Sequence, residues 1–113
     1  MSMLPNDTLS QVVFIHDYIQ LVFQEDRFNI LNPPTLTKNG RAYRPSEPGF
    51  CDELVGLIES RPIAVECNDM EDLCITFASG TTLHVLTSDP LATGPEAWHF
   101  WRNGRLEFVA MTR

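Results

Sequence analysis

The alternation of hydrophobic and polar side chains along the chain predicts short β-strands separated by turns. Alternation with a period of two residues is typical of a strand that buries one face. Segments with this pattern, or with a short apolar run, are residues 12–15, 19–23, 28–31, 63–67, 73–77, 82–85, 96–102 and 105–110. The pattern therefore predicts a protein built mostly from antiparallel strands.

The first three segments predict a meander, in which residues 16–18 form one turn. A second loop, centred on residues 25–26, would place Phe23 opposite Phe28. Directly opposite residues share a face in an antiparallel pair, so this register keeps the apolar side chains together.

The next three segments predict a second meander. Its expected register places Cys67 opposite Leu73 and Phe77 opposite Leu83. Because neighbouring residues of a strand point to opposite faces, this register separates Cys67 from Cys74. A disulfide between these two cysteines is therefore not expected.

The last two segments flank an Asn-Gly pair at residues 103–104, which is the strongest short-range signal for a hairpin. This turn would place Trp101 opposite Leu106 and His99 opposite Phe108. Large aromatic residues then occupy both faces of the hairpin. Either both faces are covered within the domain, or one of them is an exposed binding patch.

One helix is predicted at residues 50–60, where apolar side chains recur at helical spacing and Pro62 follows. Residues 32–49 are predicted to be a long loop, because four prolines deny the backbone the donors that a sheet needs. Residues 1–11 are expected to be an N-terminal tail and residues 12–113 a single domain. The predicted fold class is α+β and mostly antiparallel β, with two three-stranded meanders, a C-terminal hairpin and the one helix.

The two meanders resemble each other. Residues 19–31 and 73–86 share the same order of apolar strand, short loop and apolar strand. A duplicated unit explains this likeness, and so does independent β-patterning.

The charge is concentrated in one part of the chain. The formal net charge is −7, and residues 45–101 contain ten acidic side chains against one basic side chain, Arg61. A field of this sign repels nucleic acid and anionic lipid and attracts a basic partner. Solubility alone also explains a moderate net charge on a small domain.

Metal, cofactor and secretion signals are all weak. The three cysteines include no CxxC pair, the three histidines include no HxxxH pair, and no glycine-rich phosphate loop occurs. No cofactor and no metal site are therefore expected. The N-terminus has no basic stretch followed by an apolar one, so a cytoplasmic location with reduced thiols is expected.

One group of residues suggests an enzyme. The expected register of the second meander makes Cys74 and His84 diagonal neighbours and places Glu66 beside the cysteine. A nucleophile, a base and an orienting acid are what covalent catalysis needs. No glycine-rich oxyanion loop adjoins Cys74, so an inert cysteine is the preferred interpretation and no catalytic residue is assigned.

The preferred hypothesis is a binding surface made of acids and aromatic anchors. Its predicted members are Glu66, Asp69, Glu71, Asp72, Trp98 and Trp101. Tryptophan is enriched among the residues that dominate protein interfaces. The terminal hairpin could instead join copies of the chain into a homodimer or a larger structural assembly.

The runs at residues 17–23, 73–80 and 94–97 resemble those of small bacterial domains of unknown function. Some similar small acidic domains are immunity proteins that neutralise a paired toxin. The resemblance carries over no functional residue, because the shared motifs are structural. Together with the small size, the acidity and the lack of catalytic motifs, it favours a non-enzymatic immunity protein or inhibitor that neutralises a basic protein such as a toxin. A phage-encoded inhibitor of a bacterial defence complex follows the same charge logic.

Overall fold

The alternating segments pair into two five-stranded antiparallel sheets in the computed structural model, which describes residues 2–113. In chain order the elements are β1 (Gln11–Ile15), β2 (Tyr18–Phe23), β3 (Asp26–Ile30), β4 (Thr35–Lys38), β5 (Arg41–Tyr43), α1 (Phe50–Val55), β6 (Pro62–Cys67), β7 (Leu73–Phe77), β8 (Thr82–Val85), β9 (Glu96–Arg102) and β10 (Arg105–Met111). The predicted mostly antiparallel α+β class is confirmed.

Each sheet combines a three-stranded meander with a two-stranded hairpin from the other half of the chain. The first sheet has the order β1-β2-β3-β9-β10, and the second has the order β5-β4-β8-β7-β6. Both predicted meanders and the C-terminal hairpin are present. Since β3 pairs with β9 and β4 pairs with β8, the two halves exchange their hairpins, and neither sheet is complete without both halves.

The core lies between the inner faces of the two sheets. Phe23 of the first sheet stacks on Phe77 of the second, with their ring centroids 6.4 Å apart. Alternate residues of β7 are fully buried, as the period-two pattern predicts. The helix contributes Phe50 and Leu54 to the same core.

The predicted loop at residues 32–49 is wrong in its middle part, because β4 and β5 form a hairpin there. Asn39 and Gly40 make its two-residue turn with positive φ angles of 52° and 79°. The second Asn-Gly turn, at residues 103–104, has nearly the same angles, 52° and 74°. Positive φ at both positions suits the twist of a two-residue hairpin, and asparagine and glycine tolerate it best.

The turn between β2 and β3 in the first meander is shorter than predicted. Phe23 pairs with Asp26, and Leu21 pairs with Phe28. The predicted pairing of Phe23 with Phe28 is therefore wrong by two residues. Gln24 adopts a positive φ of 63°, which lets two residues close the turn.

In the second meander, the predicted pairing next to the β6–β7 turn is confirmed, whereas the predicted pairing of β7 with β8 is wrong. Cys67 pairs with Leu73 as expected, so Cys67 and Cys74 point to opposite faces. Leu83 pairs with Ile75, so the predicted pairing of Leu83 with Phe77 is wrong by two residues.

A bulge changes the C-terminal hairpin. Trp101 pairs with Leu106 as predicted, but the register shifts between Leu106 and Phe108. Phe108 therefore pairs with Phe100, and the predicted pairing with His99 is wrong. An extra residue in one strand reverses which face the following side chains occupy.

The helix and the N-terminal segment differ from the prediction as well. The α-helix is six residues long and is followed by turns that reach Glu59, whose φ is 76°. No helix in the described part of the chain is long and apolar enough to cross a membrane. The predicted tail at residues 1–11 is partly wrong, because Leu9 is fully buried and exchanges backbone hydrogen bonds with residues 59–60.

Candidate functional site

Four of the predicted binding residues lie at the β6–β7 connection, in a segment here called the acidic turn and defined as residues 66–72, which includes the last two residues of β6. Asn68 organises this turn, because its Oδ1 accepts hydrogen bonds from the backbone N–H groups of Met70 and Asp72, both at 2.9 Å. Its Nδ2 donates to the Asp72 carboxylate at 3.1 Å. The turn is therefore held in one shape by its own side chains.

Asp72 fixes the acidic turn to the segment of the same chain that follows β8. Its Oδ1 accepts hydrogen bonds from the Thr87 N–H at 2.7 Å and from the Thr87 hydroxyl at 3.1 Å. Burial on its own raises the pKa of the Asp72 carboxyl. The hydrogen bonds from Thr87 and Asn68, with the charge of Arg113, outweigh burial and leave this pKa below its usual value.

Glu71 is also used within the protein. Its carboxylate pairs with Arg113 at 3.0 Å. Glu66 and Asp69 differ, because both are exposed and form no ion pair with any residue from 2 to 113. Met70 follows Asp69 on the turn and is 51% exposed. All of residues 66–70 are exposed, and Glu66, Asp69 and Met70 are the two unpaired acids and the large apolar side chain among them.

Trp98 is not an exposed anchor, and that part of the prediction is wrong. Its side chain is fully buried and stacks on Phe108 at 5.0 Å between ring centroids. The indole Nε1 donates to the Glu71 carbonyl at 2.8 Å. Trp98 therefore supports the acidic turn from the core.

The suggested catalytic group is closer together than predicted. Glu66, Cys74 and His84 lie side by side on three adjacent strands, so the diagonal arrangement of Cys74 and His84 is wrong. Burial raises the pKa of the Cys74 thiol above its usual value, and the charge of Glu66 adds to this. An activated cysteine needs the opposite shift, so the raised pKa does not support Cys74 as a nucleophile.

A further polar surface lies on the outer face of the first sheet, away from the acidic turn, and Trp101 is the one predicted site residue in it. Arg27 pairs with Trp101, and Asn29 pairs with His99 in the next row. Within residues 2–113, these four side chains hold every buried side-chain nitrogen or oxygen that lacks a hydrogen-bond partner: Arg27 Nε, Asn29 Oδ1, His99 Nδ1 and Trp101 Nε1. Buried polar groups are usually satisfied, so this concentration, here called the polar block, needs an explanation.

An open groove adjoins the polar block. Its polar lining consists of Gln11, Gln20, Gln24, Glu25, Arg27, Trp101 and Asn103. The Arg27 guanidinium lies over the Trp101 indole, 4.9 Å from the ring centroid. Alternation could have assigned these side chains to one outer face, but it could not show that their polar atoms lack partners.

The described residues contain no group of three or more His, Cys, Asp or Glu side chains placed to hold a metal ion. Comparison with protein-family models, curated proteins and solved structures finds no match for this chain.

Proposed function

We propose that this protein is a non-enzymatic acidic binding protein that docks onto a basic protein partner through the acidic turn. The observation that carries the proposal is the exposed group of Glu66, Asp69 and Met70. It combines two exposed carboxylates that have no ion-pair partner with one exposed apolar side chain. A basic partner can pair with the carboxylates and pack against the methionine.

The fixed shape of the turn supports this proposal. Hydrogen bonds through Asn68, Asp72 and Thr87 hold the turn in place before a partner arrives. Binding then costs less conformational entropy than the ordering of a mobile loop would.

The net charge supports a basic partner. A formal charge of −7 accelerates the approach of a cationic protein, and carboxylates on the contact surface favour the correct orientation. A toxin that acts on nucleic acid is such a protein, because its own substrate is anionic. An immunity protein or inhibitor that neutralises such a toxin in the bacterial cytoplasm is the form of the proposal that also fits three free cysteines.

The experiment measures association with the product of the adjacent gene, immobilised in an inactive form. We expect binding whose association rate falls as salt is added. The double variant Glu66→Gln/Asp69→Asn should slow association about tenfold at low salt, since two steering charges are lost while both side chains keep their shape.

The matched control is Asp7→Asn/Glu107→Gln, which removes the same charge from two exposed residues outside the acidic turn. This control should bind nearly as fast as the wild type. Equal slowing by both double variants would reduce the acidic turn to a share of the net charge, and no binding at all would contradict this partner. If phage structural genes surround the coding sequence, the same measurement with a bacterial defence complex tests the alternative inhibitor.

A further inference from the structure

One of the four sheet edges lacks the features that keep such edges from pairing. The edge strands are β1 and β10 in the first sheet and β5 and β6 in the second. Native proteins protect an edge with charged side chains, proline, irregular register or very short strands, because its free backbone groups can pair with another chain. β5 is only three residues long. β6 begins with Pro62, β10 contains Arg105 and Glu107, and the register of both strands is irregular.

The unprotected edge is β1, whose residues 11–15 are Gln-Val-Val-Phe-Ile. This strand contains no charge and no proline, and it pairs with β2 in an unbroken register. Two of its large apolar side chains are exposed, Phe14 by 48% and Ile15 by 38%. Valine, phenylalanine and isoleucine also favour extended backbone, so β1 is suited to the addition of another strand.

The backbone of β1 has free hydrogen-bonding groups at two residues. Because residues 16–17 form a two-residue turn, Ile15 is hydrogen-bonded to its partner on β2. Hydrogen-bonded and non-hydrogen-bonded pairs alternate along an antiparallel ladder, so Val12 and Phe14 direct their N–H and C=O groups away from β2. Within residues 2–113, no other segment forms a backbone hydrogen bond with these groups.

The free edge matches a second copy of itself. Residues 59–60 bond to the backbone of Leu9, and the turn begins at His16, so the free stretch is residues 11–15 with Val13 at its centre. An antiparallel copy aligned on Val13 has its Phe14 opposite Val12, and its Val12 opposite Phe14. Both residues carry free backbone groups, so each such pair can exchange two hydrogen bonds. A two-fold axis through Val13 uses the same surface on both copies.

We propose that two copies of this protein pair antiparallel through β1, with Val13 at the two-fold axis. The two five-stranded sheets then form one continuous sheet. Directly opposite residues share a face, so the exposed ring of Phe14 gains an apolar neighbour in Val12 of the second copy. This contact lies at an edge of the first sheet, and it does not depend on the proposed basic partner.

The charge distribution allows this contact although each copy has a formal charge of −7. Residues 1–44 contain four acidic and four basic side chains, whereas the excess of acid lies in residues 45–101. Within the paired stretch no acids face each other, because residues 11–15 are uncharged. Salt screens the remaining repulsion between the two copies. Added salt should therefore tighten the dimer, which is the opposite of its expected effect on a basic partner.

The first experiment is sedimentation velocity at protein concentrations from about 10 µM to 1 mM. We expect a reversible monomer–dimer equilibrium with a Kd of about 100 µM or tighter, which corresponds to a small contact. Val13→Lys should weaken the dimer about tenfold or more, since two like charges would then face each other at the axis. The matched control is Leu106→Lys, an exposed aliphatic residue on the opposite edge strand of the same sheet, which should dimerise like the wild type.

Disulfide trapping tests the register independently, in a variant whose three native cysteines are replaced by serine. Val13→Cys should cross-link under mild oxidation, because directly opposite residues of a non-hydrogen-bonded pair have Cα atoms about 4.5 Å apart. Gln11→Cys should remain unlinked, because the two copies of Gln11 would lie roughly 13 Å apart along the paired strands. A preserved NMR signal from the buried Trp98 indole shows that each variant is folded.

Three results would overturn the proposal: a monomer at concentrations up to about 1 mM, a wild-type dimer in Val13→Lys, or equal cross-linking through Gln11→Cys and Val13→Cys. Loss of the dimer in Leu106→Lys alone would also overturn it and would assign the contact to the terminal hairpin.

Discussion

Asp26 and Arg102 face each other across β3 and β9 and form a two-point ion pair. Arg102 Nε donates to Asp26 Oδ1 at 3.0 Å, and Arg102 Nη2 donates to Asp26 Oδ2 at 3.3 Å. The aspartate is only 6% exposed. The same guanidinium donates to the carbonyl groups of Ser2 and Leu4, so one side chain connects both halves of the first sheet and the N-terminal segment.

Replacing Arg102 with methionine should destabilise the protein by about 2 to 3 kcal/mol, because the Asp26 carboxylate would remain largely buried without its partner. Urea unfolding measures this loss as a decrease in the free energy of unfolding. The control is Arg105→Met, an exposed position on the same hairpin, which should change stability by no more than about 0.5 kcal/mol.

A double variant distinguishes the ion pair from the packing of the arginine stem. Asp26→Leu/Arg102→Met should recover much of the loss, since the uncompensated charge is then absent. If the double variant is as unstable as the sum of the two single variants, the pairing is not what stabilises this end of the sheet.

The hydrogen bonds to Asp72 make stability depend on acid. The folded-state pKa of Asp72 is lowered from its usual 3.8, so its contribution is complete above that pH and is lost as the pH falls through the folded value. Asp72→Asn should cost about 1 kcal/mol at pH 7, and its difference from the wild type should shrink below pH 3.8.

Thermal or urea unfolding between pH 2 and pH 7 measures this dependence. Asp69→Asn is the matched control, because the Asp69 carboxylate accepts no side-chain hydrogen bond from the residues described here. It should keep the acid dependence of the wild type. A constant difference between Asp72→Asn and the wild type across this range would contradict the assignment.

Local pattern was enough to predict where most strands lie, but not how they pair. In the first meander, Leu21 meets an apolar partner in either register, since Phe28 and Ile30 are two residues apart and share a face. The turn decides between the two registers, and it requires a positive φ at Gln24, which the residue type of glutamine does not predict. The hydrophobic pattern therefore cannot distinguish two strand registers that differ by two residues.

The β4–β5 hairpin was missed because the prolines around it predict a loop, although its Asn-Gly pair predicts a turn. The prolines that suggested a loop flank the hairpin, and the Asn39-Gly40 turn carries the same signal as residues 103–104. Strands of four and three residues are too short for alternation to stand out. Here the turn residues were the better guide.

The candidate sites were predicted only in part, because burial depends on how the two sheets pack. The hairpin β9–β10 carries aromatic residues on both faces, and nothing local shows that Trp98 turns inward while Trp101 turns outward. The missing partner of Arg27 is likewise a property of the folded chain. Counting charges could locate the acidic segment. It could not show that Asp72 is bonded to Thr87 whereas Asp69 is left exposed, because these hydrogen bonds form only in the folded chain.

The three cysteines should differ in reactivity, and the order tests the enzyme alternative. Cys51 is exposed, whereas burial raises the thiol pKa of both Cys67 and Cys74. The thiolate is the reactive form, so at pH 7 Cys51 should react fastest with an alkylating probe and Cys74, the least exposed of the three, slowest. Three variants that each keep a single cysteine allow the rates to be read separately. A Cys74 that reacts fastest, and slows when His84 is replaced by phenylalanine, would contradict this expectation and support the Glu66-Cys74-His84 row as a nucleophilic site.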